Sequence, residues 1–305
     1  MRHRRVIDTV RSAAAALLFL TAMALQQGVS AWGNGGYSAD PENPDYGTHD
    51  GIAELALSIS MVNVTFLTGT YNTQFLLGTE APDNPDYVGD TGNHHVYYRS
   101  DGQLQDDKAA VRARAIYSEG LAKLISGDFS GGAFLIGEMS HYIADVGVFG
   151  HTMGASTDWG TETHHPDYES WFDGRISDHT VPSTLAPVSK DAYNSTLQLA
   201  KAITFGEGAI KSNVWMDTNY DWSDSTGFLP SAIGSLNLAI QAVASAIDHL
   251  VSAAGATPPD DPTPSGDDTP ATEKASISNT VIIGLTMIAV FAVSGILLIR
   301  TRKSA

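Results

Sequence analysis

The sequence contains no cysteine. Disulfides and thiolate metal ligands are therefore excluded, and any metal site must be built from histidine, carboxylate, backbone or water. Basic residues are scarce, with 17 Lys and Arg against 34 Asp and Glu over 305 residues. Arg2, Arg4, Arg5, Arg11 and Asp8 lie in the first 31 residues, which leaves 13 basic and 33 acidic residues after them, a formal charge of −20. A surface of that sign repels nucleic-acid backbones, so nucleic acid is not an expected partner. Strand signals are few and short, and there is no internal repeat.

The two ends read as targeting segments. Residues 1–31 have a basic start, an apolar stretch at 13–25 and the small-residue pattern Val29-Ser30-Ala31. That is the layout of a secretory signal peptide, and the apolar stretch is short for a membrane span. Residues 277–299 form an uncharged run of 23 residues. As a helix it reaches roughly 34 Å, enough to cross a bilayer core of about 30 Å. Arg300, Arg302 and Lys303 follow at once. The positive-inside bias makes 300–305 a cytoplasmic tail and puts the body outside, on a single-pass anchor in the cell membrane. Residues 256–275, rich in Pro, Asp and Thr, read as a solvated stalk. The body, 32–255, is long enough for one large domain.

The body is expected to be all-α, a single multi-helix domain with long loops and the transmembrane helix appended. Thr48 can cap a helix whose apolar residues Ile52, Leu55, Ala56 and Ile59 recur at helical spacing. A second helix is expected over 106–125, and a third, apolar on most sides and hence central, over 130–148. Pro166 suits the first turn of a helix opening at His165. Two more are expected over 189–204 and 230–253. Segments 62–104 and 150–165 are rich in Gly, Asn, Asp and Thr and read as long loops, which are uncommon between packed helices unless they do something.

Seven histidines fall between residues 49 and 165. His141 and Asp145 are four apart, as are His165 and Glu169, so each pair shares a helix face. His151 lies six residues beyond Asp145, Asp83 sits in Ala-Pro-Asp-Asn-Pro, and His94-His95 precede Val-Tyr-Tyr. One such pair is usually a core hydrogen bond or a surface ion pair. Two pairs with four further ligand-capable residues point to metal. A histidine and an aspartate buried on an apolar helix need partners to repay desolvation, and imidazole with carboxylate suits Zn²⁺. His179 and His249 read as surface or structural residues, and Trp159, Trp171 and Trp215 as packing.

Over 32–173 the pattern resembles the zinc-dependent bacterial phospholipase C family, which includes clostridial alpha-toxin, and more distantly the zinc single-strand nucleases. The resemblance rests on Trp32, on His49 in the first helix, on the loop Asp83 and on a histidine before an aromatic segment. It rests most on His-x3-Asp-x5-His-x13-His-x3-Glu, here His141, Asp145, His151, His165 and Glu169. The resemblance implies three zinc ions in an all-helical domain. One would take Asp83, His95, His141 and Asp145. A second would take His151, His165 and Glu169. The third would take His49, a bridging Asp145, and the amino and carbonyl groups of Trp32, which requires cleavage after Ala31. Asp83 is the candidate catalytic residue, orienting or deprotonating the metal-activated water. From Asp83 to the second histidine the interval is twelve, where the family has fourteen. His94 therefore remains an alternative to His95, which is preferred because Tyr97 follows it by two. His164 beside His165 poses the same choice. Gly35 and Asn84 stand nearest the family's choline-holding positions, so the head group stays open. The implied activity is an extracellular phospholipase C cutting the glycerol–phosphate bond of phospholipids. The alternatives are a single-strand nuclease or nucleotidase, and a non-catalytic zinc-binding surface protein.

Overall fold

The apolar spacing at Ile52, Ala53, Ala56 and Leu57 does build a helix, α1 (Thr48–Ile59), with those residues buried. Its N-cap is Gly47, one residue before the expected Thr48. The Gly47 N–H is satisfied by the Asp50 carboxylate at 2.8 Å, an acceptor reaching back from the third helical position. The computed structural model describes residues 32, 46–90 and 92–255. The segments expected to be the signal peptide (1–31), the stalk (256–275), the anchor (277–299) and the cytoplasmic tail (300–305) lie outside the described residues. All described residues belong to the first of two units, Met1–Asp261.

The expected loop over 62–104 is largely ordered as secondary structure. It holds α2 (Thr65–Thr68), α3 (Asn72–Glu80) and the start of an antiparallel ribbon, β1 (Tyr97–Tyr98) with β2 (Leu104–Asp106). Helix α3 has only a few apolar residues and no clear stripe, so periodicity does not reveal it. Its small residues matter instead. A Cβ on Gly78 would lie 2.0 Å from the Phe134 carbonyl oxygen, and one on Gly137 would lie 2.0 Å from that of Phe75. Two helix backbones thus touch directly, which only glycine permits.

Helix α4 (Lys108–Ile125) starts two residues later than expected, because Asp106 belongs to β2 and Asp107 is the N-cap. Helix α5 (Phe129–Asp145) starts behind Asp128, whose carboxylate accepts the Gly131 N–H at 2.9 Å. It ends at Asp145, three residues short of expectation, and a 3₁₀ turn (Phe149–Thr152) carries His151. Helix α6 (His165–Asp173) has Pro166 in its first turn, as the sequence suggests. Helix α7 (Ala192–Phe205) is capped by Asp191, α8 (Asn213–Thr218) by Ser212, and α9 (Phe228–Ala254) ends at Gly255 in the left-handed region. Short α8 was not foreseen.

Helix α5 is central. It packs against α1, α3, α4, α7 and α9, and every residue from Ile136 to Asp145 is buried. Helix α9 is long and apolar enough to cross a membrane, but more than half of its most apolar stretch is buried inside the fold, as in a core helix. Each fully buried side chain such as Phe75, Ile136 or Met139 contributes about 1.5–3 kcal/mol. That apolar mass keeps the end of α5 in place, and the end of α5 carries the polar cluster.

Candidate metal centre

His141 and Asp145 occupy successive turns of one face of α5, both fully buried. The direct α3–α5 contact brings the Thr79 carbonyl against His141 Nδ1 at 2.6 Å. A carbonyl only accepts, so Nδ1 carries hydrogen and Nε2 turns inwards. His141 Nε2 then stands 3.3 Å from Asp145 Oδ2, 3.3 Å from His94 Nδ1 and 3.8 Å from Asp83 Oδ1. His94 is oriented in the same manner. Its Nε2 meets the Asp90 carbonyl, and its Nδ1 lies 2.5 Å from Asp145 Oδ2. The other Asp145 oxygen, Oδ1, is 3.2 Å from Nε2 of His49, whose ring stacks on His141 at 3.8 Å. Asp145 therefore offers one oxygen to each of two groups.

A second cluster lies where α6 faces the 3₁₀ turn. His151 Nε2 and His165 Nε2 confront each other at 3.1 Å, and Glu169 Oε1 is 2.5 Å from His165 Nε2 and 3.5 Å from His151 Nε2. Glu162 stands behind His165, 3.4 Å from Nδ1. Gly150 makes the approach possible, since a Cβ there would lie 2.5 Å from the His165 ring.

Two imidazole nitrogens or a nitrogen and a carboxylate oxygen this close need something positive between them. Three groups, His49 with His141 and Asp145, Asp83 with His94 and His141, and His151 with His165 and Glu169, each place ligand atoms within 4.8 Å of one another. Both ring nitrogens of His49, Asp145 Oδ1 and Glu169 Oε1 are buried and make no well-directed hydrogen bond, close as their neighbours are. Unsatisfied buried polar atoms are costly, and divalent cations satisfy them. The donor set, imidazole and carboxylate without sulfur, fits Zn²⁺.

Protons hold those places when cations do not. Burial pulls His94 down, but Asp145, Asp83 and the Asp90 carbonyl outweigh it and hold the ring up at about 9. Burial also opposes His165, yet Glu162 and Glu169 raise it to about 9. His141 is raised against the same burial cost by Asp145 and Asp83. Burial lowers His49 to about 4, helped by the neighbouring His141, and lowers His151 well below the usual range, helped by His165. Burial pushes Asp145 up, but His141, His94 and His49 more than reverse that and keep it well below the ordinary carboxylate range. Glu169 goes the other way, pushed up to about 7 by burial despite His165.

The histidine pairs resolve by geometry. His94, not the preferred His95, joins the cluster. Burial alternates along 94–98, with His94, Val96 and Tyr98 buried and His95 and Tyr97 partly exposed, so alternate side chains point to opposite sides. His95 shares a side with Tyr97, stacks on it at 4.3 Å, and points to Asp106 at 3.3 Å. The aromatic two residues on thus marks the side facing away from the cluster. His165 faces the cluster, whereas His164 stacks on Tyr220. Trp32 is buried, its indole N–H donating to the Ala144 carbonyl at 2.9 Å next to Asp145 and its ring packing on Phe172 and Tyr168. Glu162 and Asp90 were not anticipated. Glu162 lies in a loop before α6 and Asp90 in a turn, where residue spacing says nothing about direction.

No protein-family model and no curated protein matches the chain. Among solved structures it is similar to the alpha-toxin of Clostridium absonum, with 14% identity, a TM-score of 0.48, and coverage of 68% of this chain and 63% of that one. It is also similar to the alpha-toxin of Clostridium perfringens avian strain SWCP, with 15% identity, a TM-score of 0.48, and coverage of 72% and 66%. The chain thus spans less than two thirds of each toxin.

Proposed function

We propose that this chain is an extracellular, membrane-anchored, zinc-dependent phosphodiesterase, and specifically a phospholipase C acting on the glycerol–phosphate bond of phospholipids. The observation that carries the reading is the buried convergence of five histidines (His49, His94, His141, His151 and His165) and three carboxylates (Asp83, Asp145 and Glu169) in three groups, two of which share His141. The motif His141-x3-Asp145-x5-His151-x13-His165-x3-Glu169 supports the phospholipase reading.

Zinc would be held by Asp83, His94, His141 and Asp145; by His151, His165 and Glu169; and by His49 and Asp145 with the terminal amine and carbonyl of Trp32. Bound there, it would supply a Lewis acid for phosphoryl oxygens and activate water at neutral pH. The protein's own part is positional. Thr79 and Asp90 carbonyls and Glu162 orient three imidazoles from behind, as outer partners of metal ligands do. Asp145 holds a fixed negative charge between two groups. Asp83, 3.8 Å from both His94 and His141, would accept a proton at its carboxylate. The surrounding helices exclude bulk water, which strengthens each charge interaction.

The test is to load the chain beginning at Trp32 with zinc and present phosphatidylcholine, phosphatidylglycerol and single-stranded DNA. Diacylglycerol release is expected. Nucleotide release without diacylglycerol would sink the lipid reading in favour of a nuclease, and three bound ions without hydrolysis would leave a binding protein.

A further inference from the structure

The turn that delivers His94 is knotted around one side chain. The Asp90 carboxylate accepts the Gly92 N–H at 3.2 Å and the Asn93 side-chain amide at 2.9 Å on both oxygens. It also accepts the Tyr142 O–H at 3.1 Å, and Arg112 Nε stands 3.6 Å away. Arg112 in turn donates to the Tyr142 hydroxyl at 3.3 Å and to Glu138 at 3.1 Å. A relay therefore runs from Arg112 on α4, through Tyr142 on α5, to Asp90. Tyr142 is the residue after His141, so α5 presents His141 to the cluster and, one step round, Tyr142 to the turn.

The same Asp90 holds the far side of the His94 ring through its backbone, with Nε2 donating to the carbonyl. Fixing that hydrogen on Nε2 leaves Nδ1 as the nitrogen facing Asp145 and His141. Side chain and carbonyl of one residue thus do two linked things: the carboxylate locks the turn to two helices, and the locked turn aims the carbonyl.

We propose that Asp90 is a positioning residue for the Asp145-side cation, clamped by Tyr142 and Arg112, and that it makes His94 ligate through Nδ1. This rests on the metal-binding reading above. Outer partners of this kind typically change metal affinity by about 10- to 100-fold. A turn staple that mattered only for folding would shift the unfolding midpoint and leave the ring and the affinity alone.

The experiment uses the full chain with histidine rings labelled with ¹⁵N, followed by NMR during titration with zinc alone. In the wild type, the His94 Nε2–H signal is protected from exchange both before and after zinc, and zinc shifts Nδ1. In Asp90→Ala that protection is lost. Zinc affinity at His94 and His141 falls about 10- to 100-fold, while His151 and His165 titrate as before. Tyr142→Phe, which removes one hydroxyl and keeps the ring, gives a smaller loss in the same direction, and Asp90→Asn, which retains an acceptor, restores most of the affinity. An Asp90→Ala protein with a protected His94 Nε2–H and unchanged zinc affinity overturns the proposal. If the wild type took up no zinc, the metal reading would fail by itself, and the metal-free His94 signal in Asp90→Ala would still decide for or against the clamp.

Discussion

Asp145 and Glu169 are built alike and behave differently. Each lies four residues after a histidine on a helix, each is buried, and each meets imidazole nitrogens at short range. Asp145 stays ionised well below the ordinary range, whereas Glu169 is pushed up to about 7. The difference is the company. Asp145 faces three histidines, two of them raised by it, and Glu169 faces His165 and a His151 that burial keeps neutral. Burial alone makes a carboxylate neutral; enough positive partners reverse it. One side of the centre is therefore a permanent anion shared by two groups, and the other is an anion only above about neutral pH.

The largest test of this contrast is to remove each carboxylate. Asp145→Ala should cost two ions per chain and lower hydrolysis on the order of 10³-fold or more, and Glu169→Ala should cost one ion. Elemental analysis of the purified variants checks the count, and equal losses would remove the bridging role of Asp145. Next, His94→Ala should lose one Asp145-side ion, while His95→Ala should keep wild-type zinc content. Metal loss from His95→Ala alone would overturn the assignment made from the alternating burial at 94–98. Gly137→Ala places a methyl group against the Phe75 carbonyl, at a cost of about 1–3 kcal/mol in chemical unfolding, although alanine is intrinsically the better helix former by about 1 kcal/mol. It should also weaken the Asp145-side ion and spare the other, because Thr79 moves away from His141. The smallest effect is on protons. Between pH 8 and 6, His94 holds its proton and Asp145 holds none, so the protons these two residues release on zinc binding stay level. On the other side Glu169 gains a proton as pH falls through about 7, so release per ion rises by about one and affinity drops. Calorimetry in buffers of different ionisation enthalpy reads both.

Much of this was legible in the residues. Apolar pattern marked α1, α4, α5, α7 and α9 to within a few residues, because each buries a regular stripe or a whole surface, and Pro166 marked the start of α6. Helices α2, α3 and α8 escaped because α3 packs through glycine, and α2 and α8 are only four and six residues long. In the site, spacing of four on a helix carries direction, so His141 with Asp145 and His165 with Glu169 could be paired from sequence. Direction is lost in loops. His94 and His95 are adjacent letters, and only the strand that follows decides which one turns inwards. Carbonyl partners such as Thr79 and Asp90 have no letter of their own, since any residue offers the same oxygen.

The contact between Gly78 and Gly137 also governs how far the His141 ring can swing. Where side chains separate two helices, rotamers can open or close a gap. Here main chain rests on main chain, with Thr79 next to one glycine and His141 four residues beyond the other. The gap between the α3 end and the α5 ligands is set like a calliper locked at one width. Thr79 cannot leave His141 Nδ1 without parting two main chains, so the heading of the His141 ring is written in the backbone.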